Sequence, residues 1–302
     1  MECNDIGNAM EKKLHKWLCR IQDVLFVGLV VVLVWLFLQV STYATFRIPS
    51  DSMEPAILAG DYIVVNKWIM GGRVFNLFDD MDQKPVIHRL PGQGEVERND
   101  VLVFNFPYSG PWDSISMDWR KFYLKRCVAL PGDTFEIKDA HYRVRGVDQA
   151  LGNAEAQDIL ARLIHEGVEK ERGVVMKGFP YGGDVDWDMK DFGPLYIPKA
   201  GERISMNRLN QVLYKNVIEW EQDKKLEAKG DSILLGDILI TEYRFKENYY
   251  FVAGDKVFNS QDSRYWGLLP EPYIVGVATW IWKSVDPVTN KVRWDRVLKR
   301  IE

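Results

Sequence analysis

Between Asp23 and Arg47 the chain runs for 23 residues without a charge, and most of them are Val, Leu, Phe and Trp. At 1.5 Å of rise per helical residue the run reaches about 34 Å, which matches a hydrocarbon core of about 30 Å. The segment therefore predicts one membrane-spanning helix over 24–46. A cleaved secretory signal is the alternative, since Thr42-Tyr43-Ala44 offers small residues near its end. The apolar run is longer than the roughly 7–15 residue core of such signals, which disfavours cleavage. Lys12, Lys13, Lys16 and Arg20 precede the span, whereas Arg47 is the one basic residue soon after it. That asymmetry keeps residues 1–23 in the cytoplasm and sends 47–302 across.

Cysteine usage fits this division. Cys3 and Cys19 precede the span and only Cys127 follows it, so the exported part has no partner for an internal disulfide and must rest on its core. With 302 residues and 47% hydrophobic content, a substantial core is within reach. The net charge of −4 comes with scattered basic residues, which excludes an evident nucleic-acid footprint.

Residues 61–67, 100–104, 122–128, 248–252 and 273–280 are rich in β-branched and aromatic residues and are bounded by Gly, Pro, Asp or Asn. The fold expected is mainly β, a barrel or coiled sheet. Two helical patterns interrupt it, Asn153 to Lys170 and Ser205 to about Lys229. They mark an inserted, partly helical subdomain at about 147–245, which also holds the turn-rich Phe179-Pro180-Tyr181-Gly182-Gly183-Asp184.

Directly after the span comes Arg47-Ile48-Pro49-Ser50-Asp51-Ser52-Met53-Glu54-Pro55, two serines fixed between two prolines. Local chemistry allows a plain reading in which Ser52 caps a short helix between Pro55 and Gly60. A serine becomes a nucleophile only when a base takes its proton. His15 is cytoplasmic, and His88, His141 and His165 lie in polar contexts without metal-ligand spacing, so neither a Ser/His/Asp triad nor a metal site is expected. A neutral lysine can serve instead. Lys125 lies on a strand whose alternation puts Tyr123, Lys125 and Cys127 on one face and Leu124, Arg126 and Val128 on the other. Periodicity alone equally allows a solvated lysine at a strand edge.

Four ordered segments then carry a resemblance. Ile48 to Pro55, Gly60 to Lys67, Tyr123-Leu124-Lys125-Arg126 with Leu130-Pro131-Gly132-Asp133, and Gly254-Asp255 with Asn259 to Gly267 are similar to the boxes of bacterial type I signal peptidase, a Ser/Lys-dyad serine protease family. The resemblance implies a signal-peptidase-like catalytic domain without cofactor or metal. It implies that Ser52 is the nucleophile and Lys125 the general base, with Ser50 helping the Ser52 N–H form the oxyanion hole. It further implies that Ser260 hydrogen-bonds and orients the lysine, that Tyr123 packs around it, that Arg126 and Asp255 form a supporting ion pair, and that Asp262 and Arg264 brace the site. At Lys256-Val257-Phe258 the chain departs from the family, which usually carries a polar Asn-Arg there, so any ion pair made by that Arg is lost.

For a lysine to act as base its pKa must fall from near 10.4 to roughly 7–8, and apolar burial does this by disfavouring the ammonium. Phe104, Tyr123, Val252 and Ala253 are candidates for the apolar wall. Six residues from Phe46 to Ser52 reach at most about 20 Å, which keeps the nucleophile near the bilayer. The expected substrates are preproteins whose signal peptides leave the membrane there, with small residues before the scissile bond. Membrane lipid and the secretion translocon are the further expected partners, and the bacterial cytoplasmic membrane the expected location. A dedicated Ser/Lys maturation peptidase, or a non-enzymatic anchored binding module, are the alternatives.

Overall fold

The computed structural model describes residues 2–75, 87–182 and 185–302, so Gly183 and Asp184 of the expected turn lie outside the described residues. Helix α1 (Glu2–Ser41) contains the stretch Lys16–Leu38, whose apolar side chains and length suit a membrane crossing, and none of which is buried in the protein. So many exposed Val, Leu and Phe side chains are stable only when lipid covers them. The chain is thus a membrane-anchored protein.

The helix does not continue to residue 46 as expected. It stops at Ser41, where Ser41 Oγ and Thr42 Oγ1 donate to the carbonyls of Phe37 and Leu38 at 2.6 and 2.7 Å. Tyr43-Ala44-Thr45-Phe46 then enter strand β1 (Tyr43–Arg47), paired antiparallel with β2 (Asp61–Asn66). Aromatic and β-branched residues with a strand partner at hand favour the sheet over another helical turn.

The chain continues through β3 (Arg73–Phe75), β4 (Ile87–Arg89), β5 (Val101–Phe106), β6 (Asp118–Ala129), β7 (Thr134–Lys138) and β8 (His141–Val144). After α2 (Ala154–Glu166) come β9 (Phe192–Tyr196), β10 (Arg203–Ser205) and α3 (Arg208–Gln222), then β11 (Leu226–Lys229), β12 (Ser232–Leu235), β13 (Ile238–Ile240) and β14 (Glu242–Arg244). It closes with β15 (Tyr249–Ala253), α4 (Ser263–Trp266), β16 (Leu269–Pro270), β17 (Ile274–Ser284) and β18 (Lys299–Arg300). The main sheet has the order β1-β2-β17-β5-β6-β15-β16, with β18 on β17, and its pairs are antiparallel. Strand β17 therefore returns late in the chain to join β2 to β5.

This sheet separates two cores. Along β5 every residue is buried, with Leu102, Phe104 and Phe106 in the larger core and Val101 and Val103 in the smaller one. Alternation sends successive side chains to opposite faces, so a strand covered on both sides reads as a continuous apolar run. Tyr123 and Cys127 of β6 pack with the larger core and Leu124 with the smaller one, which directs Lys125 toward the larger-core face. The smaller core also takes Met53 and Ile57, anchoring the turn that carries Ser52.

Helices α2 and α3 are each capped by an asparagine. The Asn153 side chain accepts from Ala156 N, and α2 ends at Gly167, whose φ of 73° is a left-handed conformation that glycine adopts freely. The Asn207 side chain accepts from Asn210 N at the start of α3. The second helix was expected to run from Ser205 to Lys229 and is shorter. Ser205 ends β10, the helix stops at Asp223, and Leu226–Lys229 pairs instead with Ser232–Leu235.

Candidate active site

Ser52 lies in the turn that follows β1. Glu54 N donates to Asp51 O at 3.0 Å and Ile57 N to Met53 O at 2.9 Å, but no helix forms between Pro55 and Gly60, so the capping role does not arise. The Ser52 hydroxyl instead accepts from Lys125 Nζ at 2.6 Å. Lys125 is 4% exposed. Burial pulls its pKa down, Arg264 pulls the same way, and although Asp262, Asp255 and Asp51 oppose them the value is lowered to about 8. The ammonium lies 5.8 Å from the Tyr123 ring centroid, and Phe104, Val252 and Ala253 on the flanking strands are fully buried. A lysine near pKa 8 is neutral in a useful fraction at physiological pH and can take a proton from the hydroxyl it touches.

The end of β15 holds the other half of the site. Ser260 is buried against the same cleft, yet its Oγ has no hydrogen-bond partner, so the expected bond to Lys125 is not made. Lys125 is turned to Ser52 instead. Gly254 permits the crowding: a Cβ there would lie 2.1 Å from Ser260 Oγ and 2.7 Å from Ser52 O. Ser50 is exposed and lines the cleft two residues before Ser52.

The expected Arg126–Asp255 ion pair is present, Arg264 and Asp262 form a second one, and both are bidentate. Arg126 Nε and Nη2 each donate to the Asp255 carboxylate at 2.7 Å, and Arg126 Nη1 donates to Asn99 O at 2.8 Å. Arg264 Nε and Nη2 each donate to Asp262 at 2.8 Å. Asp262 also accepts from Gly254 N at 2.9 Å, joining the β15 end to α4. Burial alone favours neutral Asp262, but Arg264 outweighs it and holds the carboxyl below its ordinary value. Buried charges persist only with such partners.

Sequence reasoning missed several contacts. Lys256, read as part of a lost ion pair, makes a new one with Asp51 and sits 3.3 Å from Glu54 Oε2. Asn153 Nδ2 donates to Asp255 O at 3.1 Å, tying the cap of α2 to the site. Arg296 grips buried Asp61 at 2.6 Å and donates to Ala56 O at 2.9 Å, fixing the far end of the Ser52 turn. The charge balance of Asp51 and Glu54 around Ser52 was a signal for the first of these; the other two partners are too distant in sequence to be read. His141 is bonded to Asp158, and His165 to Asp139.

Between β1 and the first half of β6 lies a cleft of about 370 Å³, lined by Phe46, Ile48, Ser50, Ser52, Tyr123, Lys125 and Ser260 among others. Among the described residues β1 pairs only with β2, and β15 leaves β6 beyond Arg126, so both strands present free edges toward it.

Residues 21–283 match the family model described as signal peptidase, peptidase S26. The chain is 28% identical over 260 residues to signal peptidase I of Buchnera aphidicola subsp. Schizaphis graminum, covering 86% of this chain and 74% of that protein. It is 30% identical over 265 residues to signal peptidase I of Pseudomonas aeruginosa, covering 83% and 69%. A crystal structure of a signal peptidase I from Enterococcus faecalis aligns with 61% of this chain and 96% of that one at 21% identity, with a TM-score of 0.27, too low to bear on the fold.

Proposed function

The chain belongs to the signal peptidase family, peptidase S26, and from that premise we propose that Ser52 and Lys125 are the nucleophile and general base of a membrane-anchored serine endopeptidase that cleaves signal peptides. The observation that carries the assignment is the 2.6 Å contact from a buried lysine to the serine hydroxyl.

In its neutral form Lys125 takes the Ser52 proton as Oγ attacks the scissile carbonyl. Oxyanion charge develops where the Ser52 N–H and the Ser50 hydroxyl can donate to it. Lys125 then returns the proton to the leaving amine, which departs and leaves an ester on Ser52. A water deprotonated by Lys125 attacks that ester, and collapse returns the proton to Ser52. Ser260 and Tyr123 shape the space around the lysine, Arg126 with Asp255 fixes β6 to the β15 end, and Asp262 with Arg264 fixes α4 to it.

An extended peptide placed between the free edges of β1 and β6 can add its backbone hydrogen bonds to either strand. Alternate side chains then enter the cleft, which suits small residues before the scissile bond. The anchor helix keeps that cleft near the bilayer, so preprotein signal peptides are the substrates, with membrane lipid and the secretion translocon as neighbours. The basic residues before the span support a reading with residues 1–23 in the cytoplasm and residues 47–302, with their insert at about 147–245, on the exported side of a bacterial cytoplasmic membrane.

Cleavage of a purified preprotein by the parent, Ser52→Ala and Lys125→Ala proteins tests the dyad. Both variants should be inactive while keeping the parent's circular dichroism. Normal turnover by either one removes that residue from the mechanism.

A further inference from the structure

The turn bearing Ser52 carries a carboxylate on each side of the serine, Asp51 before it and Glu54 after it. Of the two, Asp51 acts on the lysine that must become neutral, and its negative charge favours the ammonium. Lys256 meets both of them. Its Nζ is bonded to Asp51 and lies 3.3 Å from Glu54 Oε2, while its backbone N–H donates to Ser52 O at 3.1 Å. Asn259 from the same loop adds a side-chain hydrogen bond to Asp51.

We propose that Lys256 is a positioning residue, which clamps the Ser52 turn through Asp51 and Glu54 and shields Lys125 from the Asp51 carboxylate. The inference rests on the reading of Ser52 and Lys125 as the dyad. Lys256 is well placed for both tasks. It directly follows Asp255, which is held by Arg126, and lies two residues after Gly254, which is held by Asp262. The clamp is therefore mounted on a fixed segment rather than on a free loop.

The charges around the base come from four places. The Ser52 turn supplies Asp51 and Glu54, and β6 supplies Tyr123 and Arg126. The loop after β15 supplies Asp255 and Lys256, and the segment entering α4 supplies Asp262 and Arg264. Arg126 is spent on Asp255 and Arg264 on Asp262, so within this set Lys256 is the cation that answers Asp51. The two hold each other charged: the Asp51 carboxyl lies below its ordinary value and the Lys256 amine above its own, each because of the hydrogen bond to the other.

The test is the pH dependence of kcat/KM for preprotein cleavage by the full chain, in parent, Lys256→Met, Lys256→Arg, Asp51→Asn and the Lys256→Met/Asp51→Asn double variant. Lys256→Met leaves Asp51 unanswered, so the acid limb should move to higher pH and activity at pH 7 should fall by roughly 3–10-fold. Asp51→Asn should move the limb the other way, the double variant should return it toward the parent, and Lys256→Arg should leave it in place. Opposite shifts from the two single changes are not produced by a merely structural role, and the Asp51→Asn arm still reads out should Lys256→Met fail to fold. An acid limb unmoved by both single changes, or moved in the same direction by both, overturns the proposal. Should Ser52→Ala retain turnover, it is the dyad that fails; should Ser52→Ala be inactive while the Lys256 and Asp51 variants keep the parent profile, only the clamp fails.

Discussion

Lys125 Nζ donates to Ser52 Oγ across 2.6 Å although the two residues stand 73 positions apart, one on a turn beside the anchor helix and the other inside β6. The sheet brings them together: β1 leads into the turn, β2, β17 and β5 follow across the sheet, and β6 carries the lysine. Contact with a hydroxyl in a buried setting gives the lysine two properties that can be measured separately, its readiness as a base and its burden on stability.

As a base, Lys125 must be neutral. Burial holds its pKa near 8, so protonation should switch the enzyme off as the pH falls. The expected kcat/KM for preprotein cleavage rises with pH through an apparent pKa of about 8 and levels above it, and a Lys125→Arg variant, whose guanidinium stays protonated, should lose about 10²–10⁴-fold. An acid limb centred near pH 4 would instead assign the proton to a carboxylate.

As a buried group, the same lysine opposes folding. Its pKa is about 8 in the folded chain and 10.5 as the ordinary value, so between those two the unfolded chain holds more protons and stability rises with pH. Below pH 8 both states are charged, and the full penalty of about 3 kcal/mol applies. Lys125→Met, close in volume and uncharged, should therefore unfold at higher urea than the parent at pH 7, with the advantage shrinking between pH 8 and 10.5. A variant less stable than the parent at pH 7, or an advantage independent of pH, contradicts this account.

Much of this arrangement was legible in the chain itself. The anchor, the main strands and the helix that starts near Asn153 follow from uncharged length, β-branched runs and an amphipathic stretch. The Ser52, Lys125, Arg126 and Asp262 positions were legible because short ordered segments carry them. The end of α1 was not, since an apolar Tyr-Ala-Thr-Phe suits a bilayer as well as an edge strand, and only pairing with β2 decides between them. The overrun of α3 has a similar cause: Leu226 continues the apolar pattern, but it turns into a strand once Ser232–Leu235 pairs with it. Lys256 escaped because comparing positions one at a time records a missing arginine and not a new partner for Asp51.

Gly254 should tolerate no side chain. A Cβ would lie 2.1 Å from Ser260 Oγ, 2.5 Å from its Cβ and 2.7 Å from Ser52 O, so one wall of the cleft must move. Gly254→Ala is expected to cost about 1–3 kcal/mol in unfolding free energy and to lower kcat more than it raises KM, because the displaced backbone belongs to the serine itself. Unchanged kcat would show that the close approach of β15 to the Ser52 turn has no part in catalysis.

Arg264 and Asp262 are 1% and 0% exposed in their side chains, so removing one leaves the other buried and unanswered. Arg264→Met should destabilise the protein by about 3–5 kcal/mol at neutral pH. The pH dependence identifies the cause. In the parent, Arg264 holds the Asp262 carboxyl below its ordinary 3.8, so this pair stabilises the fold above that pH and the benefit is lost as acid titrates the folded carboxylate. In Arg264→Met, burial is opposed only by the Gly254 N–H and Lys125, so the carboxyl rises, Asp262 takes up its proton earlier and the gap between variant and parent should close on acidification. A second change, Asp262→Leu, removes the stranded charge and should recover part of the loss at neutral pH. The double variant would then separate two roles of the pair: recovered stability without recovered turnover means that Asp262 also holds Gly254 N, and through it the cleft, in the geometry that cleavage needs.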